Sequence, residues 1–337
     1  MSTGTRVTVV VPARNEARYI ARCVEHIARQ DYPANWIELL VVDGGSTDGT
    51  GSVATEAMRR WNIADGHVLD NPAGTTPSNL NTGLAKARGD ILCRVDARTL
   101  IEPHYVRTCV ETLTSRPDIA VVGGAQHAVA IDRHPISIGI ARALNNRYSM
   151  GFSRYRRTSR SGEGDTVYLG AFRTEELRRF GGWNEQFPTN QDFELNRRMS
   201  AHGLVWFDAS LRSGYIPRPT LRLLLQQYVR FGRGKVRYWR SADARPESRQ
   251  IALVGAGAVG VVGAGVMLAL PNKAKVHSAA GLLVAAAMVE HVGATGPEGR
   301  IVARACAIAA MGVTTSGWLA GVVMEMLAGR PDNSDHR

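Results

Sequence analysis

The N-terminal third of the chain alternates between two hydrophobic periods, and that alternation limits the fold more than any other feature. "VTVVV" (Val7 to Val11), "IELLVV" (Ile37 to Val42), "HVLD" (His67 to Asp70) and "DILCRV" (Asp90 to Val95) are short runs of the kind that form buried strands. Stretches with helical spacing separate them: Glu16 to Arg29, Thr50 to Trp61 and Pro77 to Arg88. Strand–helix alternation at this spacing predicts an α/β domain built on parallel strands, with ligands held at the strands' carboxyl ends.

Polar clusters stand where that rule places a ligand. "PARNE" follows the first run, "DGGSTDGT" the second, "NPAGTTPSN" the third and "DAR" the fourth. Each alone has a local explanation as a turn or a helix cap. Together they describe a polar crevice able to hold a nucleotide. The glycines of the second cluster, Gly44, Gly45, Gly49 and Gly51, do not follow the GxGxxG spacing, which argues against a dinucleotide.

Farther along, "NQDFELNRRM" (Asn190 to Met199) opens a helical pattern with two carboxylates, Asp192 and Glu194. An Asp there can serve the helix terminus, accepting backbone N–H bonds and meeting the positive end of the dipole. It can equally be a base. The stretch by itself leaves both open, and for Glu194 a solvated or structural role stands beside a functional one.

The charge of +11 is concentrated. From Arg212 to Arg249 there are ten Lys/Arg against Asp243 and Glu247, and the uncharged run Ile251 to Leu270 follows at once. Val276 to Gly293 is a weaker run, with Glu290 and His291 near its end, and Ala305 to Met324 is again uncharged. A basic block abutting apolar runs of about 20 residues predicts an interfacial segment on the cytoplasmic side, then about three membrane-spanning helices. Buried helices of a soluble domain would carry a polar stripe, which these runs barely have. Ala256, Gly260 and Ala264, four apart, would let such helices approach closely. The expected organisation is a catalytic domain over 1–211, a basic amphipathic interface segment over 212–250, transmembrane helices over 251–327 and a tail over 328–337. The first crossing would leave the N-terminus cytoplasmic and the tail outside, at a multi-pass cell-membrane protein. Val7 to Val11 is too short for a secretory signal, and four scattered cysteines read as reduced thiols.

In five places, and in order, the chain resembles family 2 glycosyltransferases, most closely the succinoglycan-biosynthesis type of membrane-attached sugar transferase. The stretches are "VVVPARNEARYIARCVEHIARQDYP", "ELLVVDGGSTDGT", "NLNTGLAKARGDILCRVDAR", "DTVYLGAFRTEELRRFGGWNEQFPTNQDFELNRRM" and "QQYVRFGRGK". The resemblance implies a GT-A nucleotide-sugar-binding domain, a Rossmann-like mixed sheet, that inverts the anomeric centre. Carried onto this chain, it places Pro12, Ala13, Asn15 and Glu16 in the nucleotide pocket and Asp43 on the uracil or ribose, with Ser46 and Asp48 beside it. Asp96 would hold a divalent cation, Mg²⁺ or Mn²⁺, on the donor diphosphate, and Asp192 would be the general base. Gly170, Ala171, Phe172 and Gln191 fall on the acceptor side, and Arg230 on the donor side.

These residue types suit the chemistry. A hard cation on carboxylate and phosphate oxygens stabilises the leaving diphosphate, and a carboxylate takes the proton of the attacking hydroxyl. Three departures stand out. Arg98 occupies the place of a second metal-side carboxylate, so Asp96 would ligate alone or Arg98 would replace some of the cation's charge. Gln191 stands where Glu is common. Phe231 replaces a Trp after Gln227 and Arg230, which favours single addition over processive synthesis.

The implied partners are a nucleotide sugar, a lipid-linked or membrane-proximal glycan acceptor, and the membrane. A polyprenyl-phosphate acceptor is the alternative, and it would need Asp192 less. A basic membrane protein binding nucleic acid through residues 212–249, with Tyr228, Phe231, Tyr238 and Trp239 interleaved, is a third class. It leaves the strand-end clusters unexplained, so nucleic acid is not expected as a partner.

Overall fold

The computed structural model describes residues 4–149, 160–241, 246, 248, 250–255, 271–293 and 301–329. The chain divides into two compact units: Met1–Val129 with Ser153–Ile216, and Ala130–Phe152 with Pro217–Arg337. The expected 1–211 domain is therefore interrupted, because residues 130–152 cluster with the C-terminal unit.

The first unit is organised by one sheet. Its strands are β1 (Val7–Ala13), β2 (Ile37–Asp43), β3 (Gly66–Asp70), β4 (Ile91–Arg94), β5 (Thr99–Ile101), β6 (Ile119–Ala128), β7 (Gly162–Glu163), β8 (Tyr168–Arg173) and β9 (Leu204–Tyr215). They lie in the order β3-β2-β1-β4-β8-β6-β9-β5, with β7 paired to β9. The first four strands pair in parallel, as the alternation predicts. The sheet becomes mixed at β8, which runs antiparallel to both β4 and β6.

Helices α1 (Ala17–Ala28), α2 (Thr50–Arg60) and α3 (Thr76–Lys86) fill the connections between these strands. Successive residues of β1 face opposite cores: Val9 and Val11 join one cluster, Val10 the other. Leu39 and Val41 against Leu40 and Val42 repeat this in β2. Burial on both faces explains why these strands read as unbroken apolar runs. Helix α4 (Tyr105–Ser115) packs on the first face, while α3 and α7 (Gln191–Met199) pack on the second through Leu80, Leu84, Leu195 and Met199. The short helix α6 (Thr174–Arg179) lies between β8 and α7 in the chain.

β8 carries the sheet's strained point. Leu169 and Gly170 both have positive φ, 70° and 85°. Tyr168 pairs with Gly124 and Ala171 with Val122, so β8 spends an extra residue against β6. This bulge redirects the strand beside the parallel strand ends, a common place for such a feature.

The second unit contains α5 (Pro135–Asn145), α8 (Leu221–Ser241), α9 (Asn272–Gly293) and α10 (Ile301–Leu327). The apolar run 251–270 is described only to residue 255, so its span and the Ala256, Gly260, Ala264 spacing lie outside the described residues. Among the described residues, α10 is the one helix long and apolar enough to cross a membrane, with mean hydropathy 1.6 in its best window. The structure thus supports one candidate crossing where the sequence leads to an expectation of about three.

Ion pairs to two buried carboxylates anchor these helices. Glu290, near the end of α9, accepts from Arg142 of α5 at 2.5 Å and from Arg304 of α10 at 3.0 Å. Its carboxylate faces other helices, one of the two placements a charge in that run allows. Glu325 of α10 accepts from Arg233 at 2.8 Å and Arg237 at 2.7 Å, both on α8. α8 and α10 meet at glycines: a methyl on Gly232 would collide with the Trp318 carbonyl, and one on Gly321 with that of Val229.

Candidate donor and catalytic site

The strand-end loops are tied to one another by hydrogen bonds. The Gly44 amide donates to the Ala13 carbonyl at 2.8 Å, which joins the ends of β1 and β2. The Asn15 amide donates to Ser46 Oγ at 2.8 Å, and the Thr47 amide to Asn15 Oδ1 at 2.9 Å. Asn15 adopts φ 55°, a left-handed conformation that Asn tolerates better than most residues. Asp43 Oδ1 accepts from the Ser46 amide at 2.9 Å, which curls the loop back over the end of β2. Asn79 of α3 donates to the carbonyls of Ala13 and Val42, and Asn71 donates to Asn79 and Ser78. The third cluster thereby joins the first two.

Asp48 organises the opening of α1 and α2. Its carboxylate accepts from the Ala17 amide at 3.0 Å and from the Thr50 amide and hydroxyl at 3.1 and 2.5 Å. Desolvation pushes this carboxyl up, but the bonds from Thr50 and Ala17 outweigh it and hold it below the ordinary carboxylate range.

At the end of β4 stands a residue that the sequence reading passed over. Arg94 is the last residue of β4, and its side chain is only 7% exposed. Its Nε donates to Asp96 Oδ1 at 2.8 Å and its Nη2 to Asp96 Oδ2 at 3.3 Å. The signal was present: a lone cation at the end of a buried strand, two residues before an Asp, needs a partner. Burial works to lower the Arg94 pKa, but the Asp96 and Asp192 carboxylates outweigh it and hold the guanidinium above its ordinary value. The two carboxylates expected to do chemistry thus both raise the pKa of one buried cation, although they lie 96 positions apart in the sequence.

Asp192 is the second residue of α7, after Gln191. The N-cap is Asn190, with φ 64° and no capping side-chain bond, so Asp192 sits in the first turn and does not cap. One of its oxygens accepts from the Phe193 amide at 3.0 Å. Glu194 is held by Arg198 through bonds of 2.9 and 3.0 Å, a structural role, one of those left open for it. Gln191 is buried.

Pro12 and Ala13 lie at the end of β1, also buried. Ala171 and Phe172 have their side chains in the two cores, Phe172 edge-on to Trp183, and Gly170 is buried with them. Tyr168 donates to or accepts from Thr99 Oγ1 at 2.7 Å, and burial together with the nearby Asp96 charge pushes its phenol up, keeping it protonated.

Glu16 and Arg98 form a buried pair, Nε to Oε2 at 2.7 Å. Arg230 lies exposed on α8 in the second unit. Arg233 on the same helix is bonded to Glu325, and Lys235 is buried with its ammonium 5.2 Å from the Tyr238 ring.

For a hard divalent cation the donor set is lean. No group of three His, Cys, Asp or Glu comes together among the described residues. Asp96, 30% exposed, accepts from Arg94 on both oxygens and keeps a further lone pair on each. The residues therefore fit a cation that takes one protein carboxylate and most of its shell from phosphate and water, as Mg²⁺-type sites commonly do.

Residues 8–180 match the glycosyl transferase family 2 profile. The succinoglycan biosynthesis protein ExoA of Rhizobium meliloti (strain 1021) is 30% identical over 276 residues, which are 80% of this chain and 80% of that one. A dolichyl N-acetyl-alpha-D-glucosaminyl phosphate 3-beta-D-2,3-diacetamido-2,3-dideoxy-beta-D-glucuronosyltransferase of Methanococcus voltae is 26% identical over 235 residues, 68% of this chain and 72% of that one. Among solved structures, the mannosyltransferase PcManGT from Pyrobaculum calidifontis, in complex with GDP-Man and Mn²⁺, superposes with a TM-score of 0.65 at 18% identity. That match covers 98% of this chain and 89% of the other, and it shows a shared GT-A fold.

Proposed function

Because this chain belongs to glycosyl transferase family 2 and is a nucleotide-sugar-dependent glycosyltransferase, we propose that it is a membrane-attached inverting enzyme whose acceptor is a hydroxyl of a lipid-linked or membrane-proximal glycan. The observation that carries this reading is the pair of Asp96 with the buried Arg94 at the end of β4, whose guanidinium is also held above its ordinary value by the Asp192 carboxylate. It supports reading Asp96 as the donor-side carboxylate and Asp192 as the base of the same site.

In this reading Pro12, Ala13, Asn15, Glu16 and Asp43 form the nucleoside cradle, and Ser46 and Asp48 hold its loops. Asp96 would hold a divalent cation, which when bound supplies Lewis-acid stabilisation of the leaving diphosphate. Asp192 takes the proton of the acceptor hydroxyl as its oxygen bonds to the anomeric carbon. The bond from that carbon to the diphosphate breaks on the opposite face, and the configuration inverts. Gly170 and Gln191 border the acceptor, and Arg230 contributes positive charge for the donor's phosphates.

Membrane attachment is supported by α10 and by the exposed apolar side chains of α9, among them Leu282, Leu283 and Met288. The six cations of α8 suit the anionic cytoplasmic leaflet, with the catalytic unit on that side. The relative from Methanococcus voltae is named for transfer to a dolichyl-linked sugar phosphate, which favours a sugar hydroxyl over a bare lipid phosphate as acceptor here.

Incubating the purified full chain with a panel of nucleotide sugars and with Mn²⁺ or Mg²⁺, and following nucleoside diphosphate release with and without a lipid extract, tests the proposal. One donor should be consumed, faster with the extract. Consumption of none would overturn the reading, and consumption stimulated only by polyprenyl phosphate would replace the acceptor.

A further inference from the structure

Asp96 has a peculiar electrostatic setting for a residue read as the cation holder. Arg94 covers both its oxygens, at 2.8 and 3.3 Å. Two residues on, Arg98 is matched by Glu16 at 2.7 Å and so brings no net charge of its own. The two ion pairs nearest in the chain to Asp96, its own with Arg94 and that of Arg98 with Glu16, each cancel. A free divalent cation, leaving a full hydration shell, finds a neutral ion pair there, where a strong site would offer several carboxylates.

The guanidinium is also incomplete. Its Nη1 is buried and has no hydrogen-bond partner among the described residues. A buried donor without an acceptor is costly, and an arriving oxygen would satisfy it. A diphosphate supplies what is missing on both counts: negative charge for the cation and acceptor oxygens for the arginine.

We propose that Arg94 is a positioning residue that holds Asp96 as a neutral ion pair, so that this carboxylate takes a divalent cation only when the cation arrives bound to a diphosphate. The inference rests on the assignment of Asp96 as the cation's ligand. It makes cation and donor one ligand and leaves the free enzyme without a resident metal.

The test is Mn²⁺ binding followed by electron paramagnetic resonance on the full chain in detergent, with Mn²⁺ alone, with Mn²⁺ and UDP, and with Mn²⁺ and GDP. Wild type should leave free Mn²⁺ untouched and bind it when one of the two nucleotides is present. A unit charge within a few ångströms of a carboxylate changes its proton affinity by about 10- to 1000-fold. Arg94→Met should accordingly bind Mn²⁺ alone at least about tenfold more tightly than wild type. Arg94→Lys, which keeps the charge, should behave as wild type. A merely structural arginine predicts loss of binding, never this gain.

Equal affinity of wild type for Mn²⁺ with and without nucleotide would overturn the inference. So would an Arg94→Met variant with a normal melting transition and no gain. If that variant does not fold, the wild-type comparison decides alone. Asp96→Ala should abolish the nucleotide-dependent binding; if it binds Mn²⁺ with nucleotide as wild type does, the assignment of Asp96 falls and the inference with it.

Discussion

Arg98 gives its guanidinium to Glu16, Nε to Oε2 at 2.7 Å, while its ζ carbon lies 4.1 Å from the centre of the Tyr19 ring. It stands where the family resemblance places a second carboxylate, and its charge is consumed inside the protein. Both side chains are about 10% exposed, so removing one takes a charge-assisted bond from a buried partner. Arg98→Met should destabilise the first unit by about 3 kcal/mol, the usual consequence of breaking a buried pair. Adding Glu16→Gln should recover much of that loss. Urea unfolding of the two variants checks it, and equal stability of Arg98→Met and wild type would show that Glu16 is satisfied without the arginine.

Asp192→Asn should keep the fold and nucleotide binding while lowering turnover by a factor on the order of 10² or more, as expected for removal of a general base. The substitution is nearly isosteric, and the Asn oxygen can still accept from the Phe193 amide, which lies 3.0 Å from Oδ1. A melting curve and a nucleotide titration alongside the rate separate chemistry from folding. Near wild-type turnover onto a sugar hydroxyl would remove Asp192 from the base role.

How much of this site was legible beforehand differs from residue to residue. The strand-end loops were, because a parallel strand buried on both faces announces its own end: apolar residues stop and polar ones begin, at Pro12 to Glu16 and again at Asp43. Arg94 was legible only in part: a lone cation inside "DILCRV" calls for an acceptor, but that Asp96 is that acceptor rests on the 2.8 Å distance. The antiparallel return of β8 was hidden. "YLGAF" has no period that tells parallel from antiparallel, and its bulge depends on the positive φ of Leu169, a residue that gives no local hint of it. The apolar runs were visible from composition, but composition could not show Glu290 and Glu325 paired to arginines of neighbouring helices. Those pairs require knowing which helices touch.

Acid should loosen the nucleotide cradle through Asp48. Its carboxyl is held below the ordinary range in the folded protein, so folding is favoured by the ionised form. That contribution is complete above the unfolded-state value, near 3.9, and is lost as the pH falls through the lower folded-state value. Asp48→Asn should therefore show a shallower decline of stability than wild type below about pH 4. Thermal melts of both proteins across the acid range check this, and parallel declines would assign the acid sensitivity to other carboxylates.

Arg230 separates two roles for the basic helix α8. Arg233 and Arg237 on that helix are committed to Glu325, and Lys235 is buried, while Arg230 is exposed. Of these four cations it is the one best placed to meet an outside anion, and that anion is either the donor's diphosphate or a lipid headgroup. A donor role, the one proposed here, makes Arg230→Ala raise the donor KM about tenfold in detergent, the loss of roughly one charge-assisted phosphate contact, with kcat little changed. A headgroup role leaves the detergent KM alone and weakens binding to phosphatidylserine vesicles by about fivefold, since one basic residue near an anionic surface is worth about 1 kcal/mol. Measuring both on one preparation decides between them. An unchanged KM with weakened vesicle binding would move Arg230 from the donor to the membrane, and no change in either would leave α8's charge as an orienting signal for the chain.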